Sequence, residues 1–235
     1  MQSENESWVT LGQWDDVAKG LRMFMAYMIT LIAFTVIVML VTIAVAASGK
    51  ASALSSIATI AKVSGVIALG VAVFGLIAVE RYSRVAPETG ARSTAKAALF
   101  LGIASLVLSA VSIFRLMSVT DLEELGAFNI LEVLTRIVGV VQFFCFLASM
   151  RTCAAYIGRM ELYEHAGKTM TLLGVTIVLA VLSQVMSAAG SAPLVLLLGL
   201  GTLGIGIWCV VYIMMLLSRL AKAVSRDAHL PATFS

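Results

Sequence analysis

Six long apolar stretches dominate the chain, at about 23–48, 56–79, 97–118, 129–150, 169–189 and 193–217, with short polar or turn-prone segments between them. Each is long enough for a helix rising 1.5 Å per residue to cross a hydrocarbon layer about 30 Å thick. None has the strict apolar–polar alternation, in runs of about ten, that a membrane β-barrel strand requires. The pattern predicts an all-α fold: a polytopic integral membrane helical bundle with six transmembrane helices. Residues 1–22 are then an N-terminal segment, 23–217 the six-helix transmembrane domain and 218–235 a C-terminal tail. Trp8, Leu11, Trp14, Val17 and Leu21 fall on one side of a helix within the first segment, which suits an interfacial helix. Lys19 and Arg22 followed by an apolar run also resemble a secretory signal. That run, from Met23 to Ala47, is longer than an ordinary signal core, so it reads as an uncleaved anchor.

Composition agrees with the pattern. Hydrophobic residues make up 60% of the 235 positions and charged ones 12%, with a mean hydropathy of +1.02. That leaves too little polar surface to cover a globule in water, and it excludes disordered, collagen-like and nucleic-acid-binding chains. Where the charges fall matters more than their number. Lys19, Arg22, Arg81, Arg84, Arg92, Lys96, Arg151, Arg159, Lys168, Arg219, Lys222 and Arg226 share one side of the six spans, twelve of the 16 basic residues. Lys50, Lys62, Arg115 and Arg136 are left for the other. The positive-inside rule then predicts both termini in the cytoplasm, as in a bacterial cytoplasmic (inner) membrane.

Val17-Ala18-Lys19, Thr94-Ala95-Lys96 and Ala166-Gly167-Lys168 introduce the odd-numbered spans, and Arg81, Arg151 and Arg219 follow the even-numbered ones. The spacing, near 70 residues, suggests three consecutive helical hairpins. Positive-inside pressure alone can also put a basic residue at each such end. Mitochondrial carriers share a plan of three two-helix repeats, but their Pro-x-Asp/Glu-x-x-Lys/Arg element is absent, so the chain is not assigned to them. Small residues recur at steps of three and four in the second span, through Ala58, Ala61, Gly65, Ala68, Ala72 and Gly75. The third span repeats the pattern through Ala95, Ala98, Gly102, Ser105, Ser109 and Ser112. In lipid, helices associate through close approach of such residues, so these stripes predict packing of the second span on the third. A looser stripe runs from Thr176 to Gly190, and Gly199, Gly201, Gly204 and Gly206 crowd the sixth span, as a tight contact or a partly unwound segment.

Ionisable groups at membrane depth cost roughly 2.5–3.5 kcal/mol each on insertion scales and are functional candidates for that reason. The chain offers Lys62, Arg115, Glu132 and Arg136, with Thr135, Gln142 and Gln184 nearby in the predicted spans. Glu132 and Arg136 are one helical turn apart and suited to pairing. Asp121, Glu123 and Glu124, in the loop beyond, are placed to offset Arg115. The cluster reads either as a polar binding site or pathway, or as snorkelling side chains and a contact for a partner subunit. Catalytic signatures are lacking: no Walker loop, dinucleotide fingerprint, serine elbow or zinc helix motif occurs. Cys145, Cys153 and Cys209 have no paired spacing, and Glu161, Glu164 and His165 read as a solvated loop. The expectation is a chain that is not an enzyme and needs no metal or cofactor. Its partners would be the lipid bilayer and other membrane subunits or further copies of itself, with no nucleic acid. The leading expectation is a subunit or scaffold of a membrane protein complex; the alternative is a small transporter or channel whose pathway follows the fourth span.

Overall fold

A computed structural model describes residues 2–48, 53–118, 130–188 and 192–227. Among them stand six α-helices: α1 (Gln2–Ala47), α2 (Ala53–Tyr82), α3 (Ala91–Ser118), α4 (Ile130–Tyr156), α5 (Met160–Ala188) and α6 (Ala192–Asp227). No strand occurs among the described residues. All six helices are long and apolar enough to cross a membrane, as expected of a multi-pass membrane protein. Lys50, Asp121, Glu123, Glu124, Gly190 and the tail after Asp227 lie outside the described residues, as do the side chains of Trp8 and Leu11.

The helices pack most extensively as three consecutive hairpins, α1 with α2, α3 with α4 and α5 with α6. Lesser contacts of α2 with α3, α4 with α5 and α6 with α1 close them into a ring in chain order. Two turns of the ring are described. After α2, Pro87–Thr89 form a single 3-10 turn ended by Gly90, whose φ of 68° a side chain would disfavour. The Thr89 hydroxyl donates to the Ala86 carbonyl at 2.7 Å and accepts from the Ala91 N–H at 3.1 Å, starting α3. After α4, Gly158 takes a φ of 71°; Arg159 N–H bonds the Ala154 carbonyl and Gly158 N–H that of Ala155, both at 3.0 Å. These paired bonds are a Schellman stop, which satisfies two carbonyls that a helix end leaves free.

The core is concentrated at one end of the ring. Val17, Leu21, Tyr82, Leu147, Met150, Leu216, Leu217, Leu220 and Val224 are fully buried there. On the axis, Phe24 lies 4.4 Å from Phe146 between ring centroids, and Tyr82 meets Phe146 edge-on at 5.1 Å. Gly20 lets α1 cross α2 closely, since a Cβ there would stand 2.7 Å from the Tyr82 backbone nitrogen. Arg84, just past α2, bridges Asp16 of α1 at 3.1 Å and Glu80 at 3.0 Å. The hydrogen bonds to those two carboxylates raise the guanidinium above its ordinary pKa, so it stays charged.

Three expectations change at this packed end. The segment 1–22 continues α1 without a break, and Trp14, Val17 and Leu21 face the bundle instead of an interface. The same apolar face serves either role, and here α6 and α4 offer it protein partners: Trp14 stacks with Tyr156 at 6.1 Å. Residues 218–227, expected as tail, extend α6 because Leu220, Ala221 and Val224 are buried. Glu161, Glu164 and His165 lie on the opening turns of α5, not in a loop. The His165 ring stacks on Tyr212 at 4.7 Å, with Nε2 3.0 Å from the Tyr212 carbonyl, so that nitrogen is the donor.

Candidate functional site

Away from the packed end the helices diverge and enclose a chamber of about 910 Å³. That is within the usual size of small-molecule sites, roughly 300–1,000 Å³. Its floor is aromatic, formed by Phe24, Tyr27 and Phe143 above the Phe24–Phe146 contact. Met28, Leu31, Leu76, Leu106, Leu173 and Ile177 supply most of the apolar wall. Along α4 the lining runs from Phe143 to Val133, a rise of about 15 Å at 1.5 Å per residue. Arg136, Gln142 and Gln184 are the long polar side chains in the lining, and Arg136 is its one charged group among the described residues.

Small residues make the space. Ala72 and Gly75 of α2, with Gly102, Ser105 and Ser109 of α3, line the chamber instead of forming a continuous α2–α3 seam. Gly102 receives the Gln142 side chain, whose Nε2 would be 2.7 Å from a Cβ at that position. Gly75 likewise receives the Tyr27 ring, at 2.8 Å from such a Cβ. Tyr27 and Gln142 belong to α1 and α4, the hairpin mates of α2 and α3, but Gly102 also meets Leu76 of α2, at 2.9 Å from such a Cβ. Lower on α3 the same stripe is packed tightly, with Ala95 and Ala98 fully buried. Gly65 faces the Ile113 side chain, 3.2 Å from a built Cβ, and marks a direct α2–α3 contact. Ala61, Ala68 and Ser112 are outside the lining; Ala61 is exposed.

The other polar candidates separate. Glu132 pairs with Arg136 Nη2 at 2.5 Å along α4, and both side chains are more than half exposed. Glu132 itself is not in the chamber lining, so the guanidinium joins the lining to a carboxylate outside it. The Thr135 hydroxyl bonds back to the Leu131 carbonyl at 2.8 Å within its own helix and is not in the lining. Lys62 Nζ reaches the Met117 carbonyl of α3 at 3.5 Å, while Arg115 is exposed near the end of that helix; neither lines the chamber. Sequence reasoning missed Tyr27 and the two phenylalanines of the floor. The Tyr27 hydroxyl was the available signal, a polar group within an otherwise apolar run.

The four glycines of the sixth span cause no unwinding, because α6 is continuous across them. Nothing lies within 4 Å of a Cβ built on Gly199, Gly201 or Gly204, and Gly206 meets Thr176 at 3.9 Å. No cluster of His, Cys, Asp and Glu suited to a metal ion occurs among the described residues. Compared with family profiles, curated proteins and solved structures, the chain has no match.

Proposed function

We propose that this chain is a non-enzymatic membrane carrier that takes a small amphipathic solute into the chamber from its open end. The observation that carries this reading is that Arg136 and Gln142 of α4 and Gln184 of α5 line one mostly apolar space. The Glu132–Arg136 pair spans one turn of a single helix and does not require the guanidinium to join a chamber wall. A bilayer penalises polar groups at depth, and a bound polar head offsets that penalty. The twelve basic residues named above lie on the packed-end parts of the helices and their turns, which supports a cytoplasmic packed end in a bacterial inner membrane. The open end then faces outward.

Liposomes carrying the purified protein test this with radiolabelled octanoate, an apolar tail bearing one carboxylate. Saturable uptake is expected, reduced at least about tenfold by Arg136→Ala, the equivalent of ~1.4 kcal/mol for a lost charged hydrogen bond. Leu200→Ala, at an exposed apolar position of α6, leaves uptake unchanged. Equal uptake by the parent protein, Arg136→Ala and empty liposomes overturns the carrier reading.

A second reading, an oligomeric subunit or scaffold of a membrane complex, is favoured by α6. Gly201 and Gly204, three residues apart and so on one face, meet nothing within 4 Å of a built Cβ among the described residues, and close approach through glycine is how helices associate in lipid. Purification in mild detergent distinguishes this reading by whether other subunits, or further copies, travel with the protein.

A further inference from the structure

We infer that the chamber is open sideways to the bilayer between α1 and α6, and that its natural occupant is an anionic lipid drawn through that opening. This rests on the chamber being a binding site, and it replaces a solute arriving from water with one arriving from the membrane.

The side opening follows from which residues touch. The backbone of α1 runs close to those of α2 and α6, and its ring contacts with α4 come from Trp14 and Phe24, at the packed end. The buried residues of α1, from Trp14 to Phe24, and those of α6, from Cys209 to Val224, all belong to the packed end. Beyond it Tyr27, Met28 and Leu31 of α1 are half-buried against the chamber, and from Ile32 onward α1 is exposed except for a narrow stripe through Phe34, Val38, Thr42 and Val45. Over the same half, α6 exposes Leu197, Leu200, Leu203 and Ile207. The chamber lining draws on α1 to α5 and, among the described residues, includes none of α6. The ring is thus closed at its packed end and parted between its first and last helices at membrane depth.

An apolar space open to lipid fills with acyl chain, because a chain inside it and a chain outside it have the same apolar surroundings. The lining also selects a head. Arg136 lies seven residues above Phe143 on α4, about 10 Å along the axis. A chain reaching the aromatic floor therefore sets its head beside the guanidinium. One nitrogen of Arg136 serves Glu132, and a guanidinium has five N–H donors, so a phosphate can share it. No acidic side chain lines the chamber among the described residues.

Photolabelling in liposomes tests the proposal. Two probes carry the same photoreactive acyl chain, one with a phosphoglycerol head and the other with a phosphocholine head. The phosphoglycerol probe is expected to label peptides spanning 133–143 and 173–184 about fivefold more than the phosphocholine probe, the equivalent of ~1 kcal/mol for one cation. Arg136→Gln removes that preference and Arg136→Lys keeps it, both eluting as the parent protein does. Ala180→Trp, which fills the chamber, reduces labelling by both probes. Equal labelling by the two heads, or labels confined to the outward faces of the helices, overturns the proposal. Octanoate uptake without lipid labelling of the chamber leaves the carrier reading and removes this one. Head-selective labelling without octanoate uptake does the reverse.

Discussion

The two halves of this bundle are made from the same six helices, yet they follow different rules. At the packed end, large side chains from four helices are fully buried, and polar or basic residues surround them. In the other half, apolar side chains such as Val36, Ile37, Phe100, Val178 and Leu200 lie exposed, and a chamber stays open among the helices. The contrast follows from the medium each half suits. Near water, burying apolar surface contributes about 25 cal/mol per Å², so side chains are driven inward. In lipid that force is nearly absent, helices meet only where small residues permit, and a cavity costs little. The protein is therefore held together at one end and left free to bind at the other.

The strongest way to break this comparison is to remove packing from each half in turn. Leu147→Ala or Phe146→Ala is expected to destabilise the protein by about 3–5 kcal/mol, as large core deletions do, whereas Leu200→Ala changes stability by less than about 1 kcal/mol. Unfolding in mixed micelles of increasing denaturing-detergent content measures both. Equal losses from the two halves would contradict the division.

Next in size is Gly20→Val. The new Cβ would meet the α2 backbone at 2.7 Å, and backbone cannot swing aside. Overpacking of this kind costs about 1–3 kcal/mol, and the same unfolding assay should register it as a lower midpoint. Gly75→Ala brings a Cβ equally near the Tyr27 ring, but that ring borders free space. Stability should fall less than for Gly20→Val while octanoate uptake drops, because the displaced ring occupies the chamber.

These contrasts also mark what the sequence could reveal. Helix number, hairpin order and the side carrying most basic residues were legible because span length, hydropathy and charge are properties of local sequence; that this end holds the core was not. The small-residue stripes were legible as stripes, and their α2–α3 partners in part, through Gly65 with Ile113 and Gly102 with Leu76. Gly102 accepts Gln142 and Gly75 accepts Tyr27, matches that depend on how the two helices of each hairpin are rotated about their axes. Of the seven polar candidates, Arg136, Gln142 and Gln184 line the chamber. Thr135 fell away because its hydroxyl is satisfied within its own helix, which periodicity cannot disclose. Trp14, Val17 and Leu21 look alike to an interface and to a bundle, and only the presence of α4 and α6 decides between them.

The smallest expected effect concerns α6. Gly201→Ala and Gly204→Ala meet nothing within 4 Å and should leave stability unchanged or raise it by up to ~1 kcal/mol, the helix-propensity difference in water. If that face binds another subunit, the same changes leave the isolated protein intact and release the partner during purification.

Accessibility along α4 tests the central claim most directly, since this helix runs through both halves. Single cysteines are placed at Val133, Ile137, Val140, Leu147 and Met150, in a chain whose native cysteines are replaced by alanine. A water-soluble thiol reagent is then added at the open side. Reaction rates should decline from Val133 to Val140 as the chamber deepens, and reaction should be undetectable at Leu147 and Met150. Equal rates at all five positions, or protection of 133–140 with reaction at Leu147 and Met150, would contradict a bundle closed at one end and open at the other.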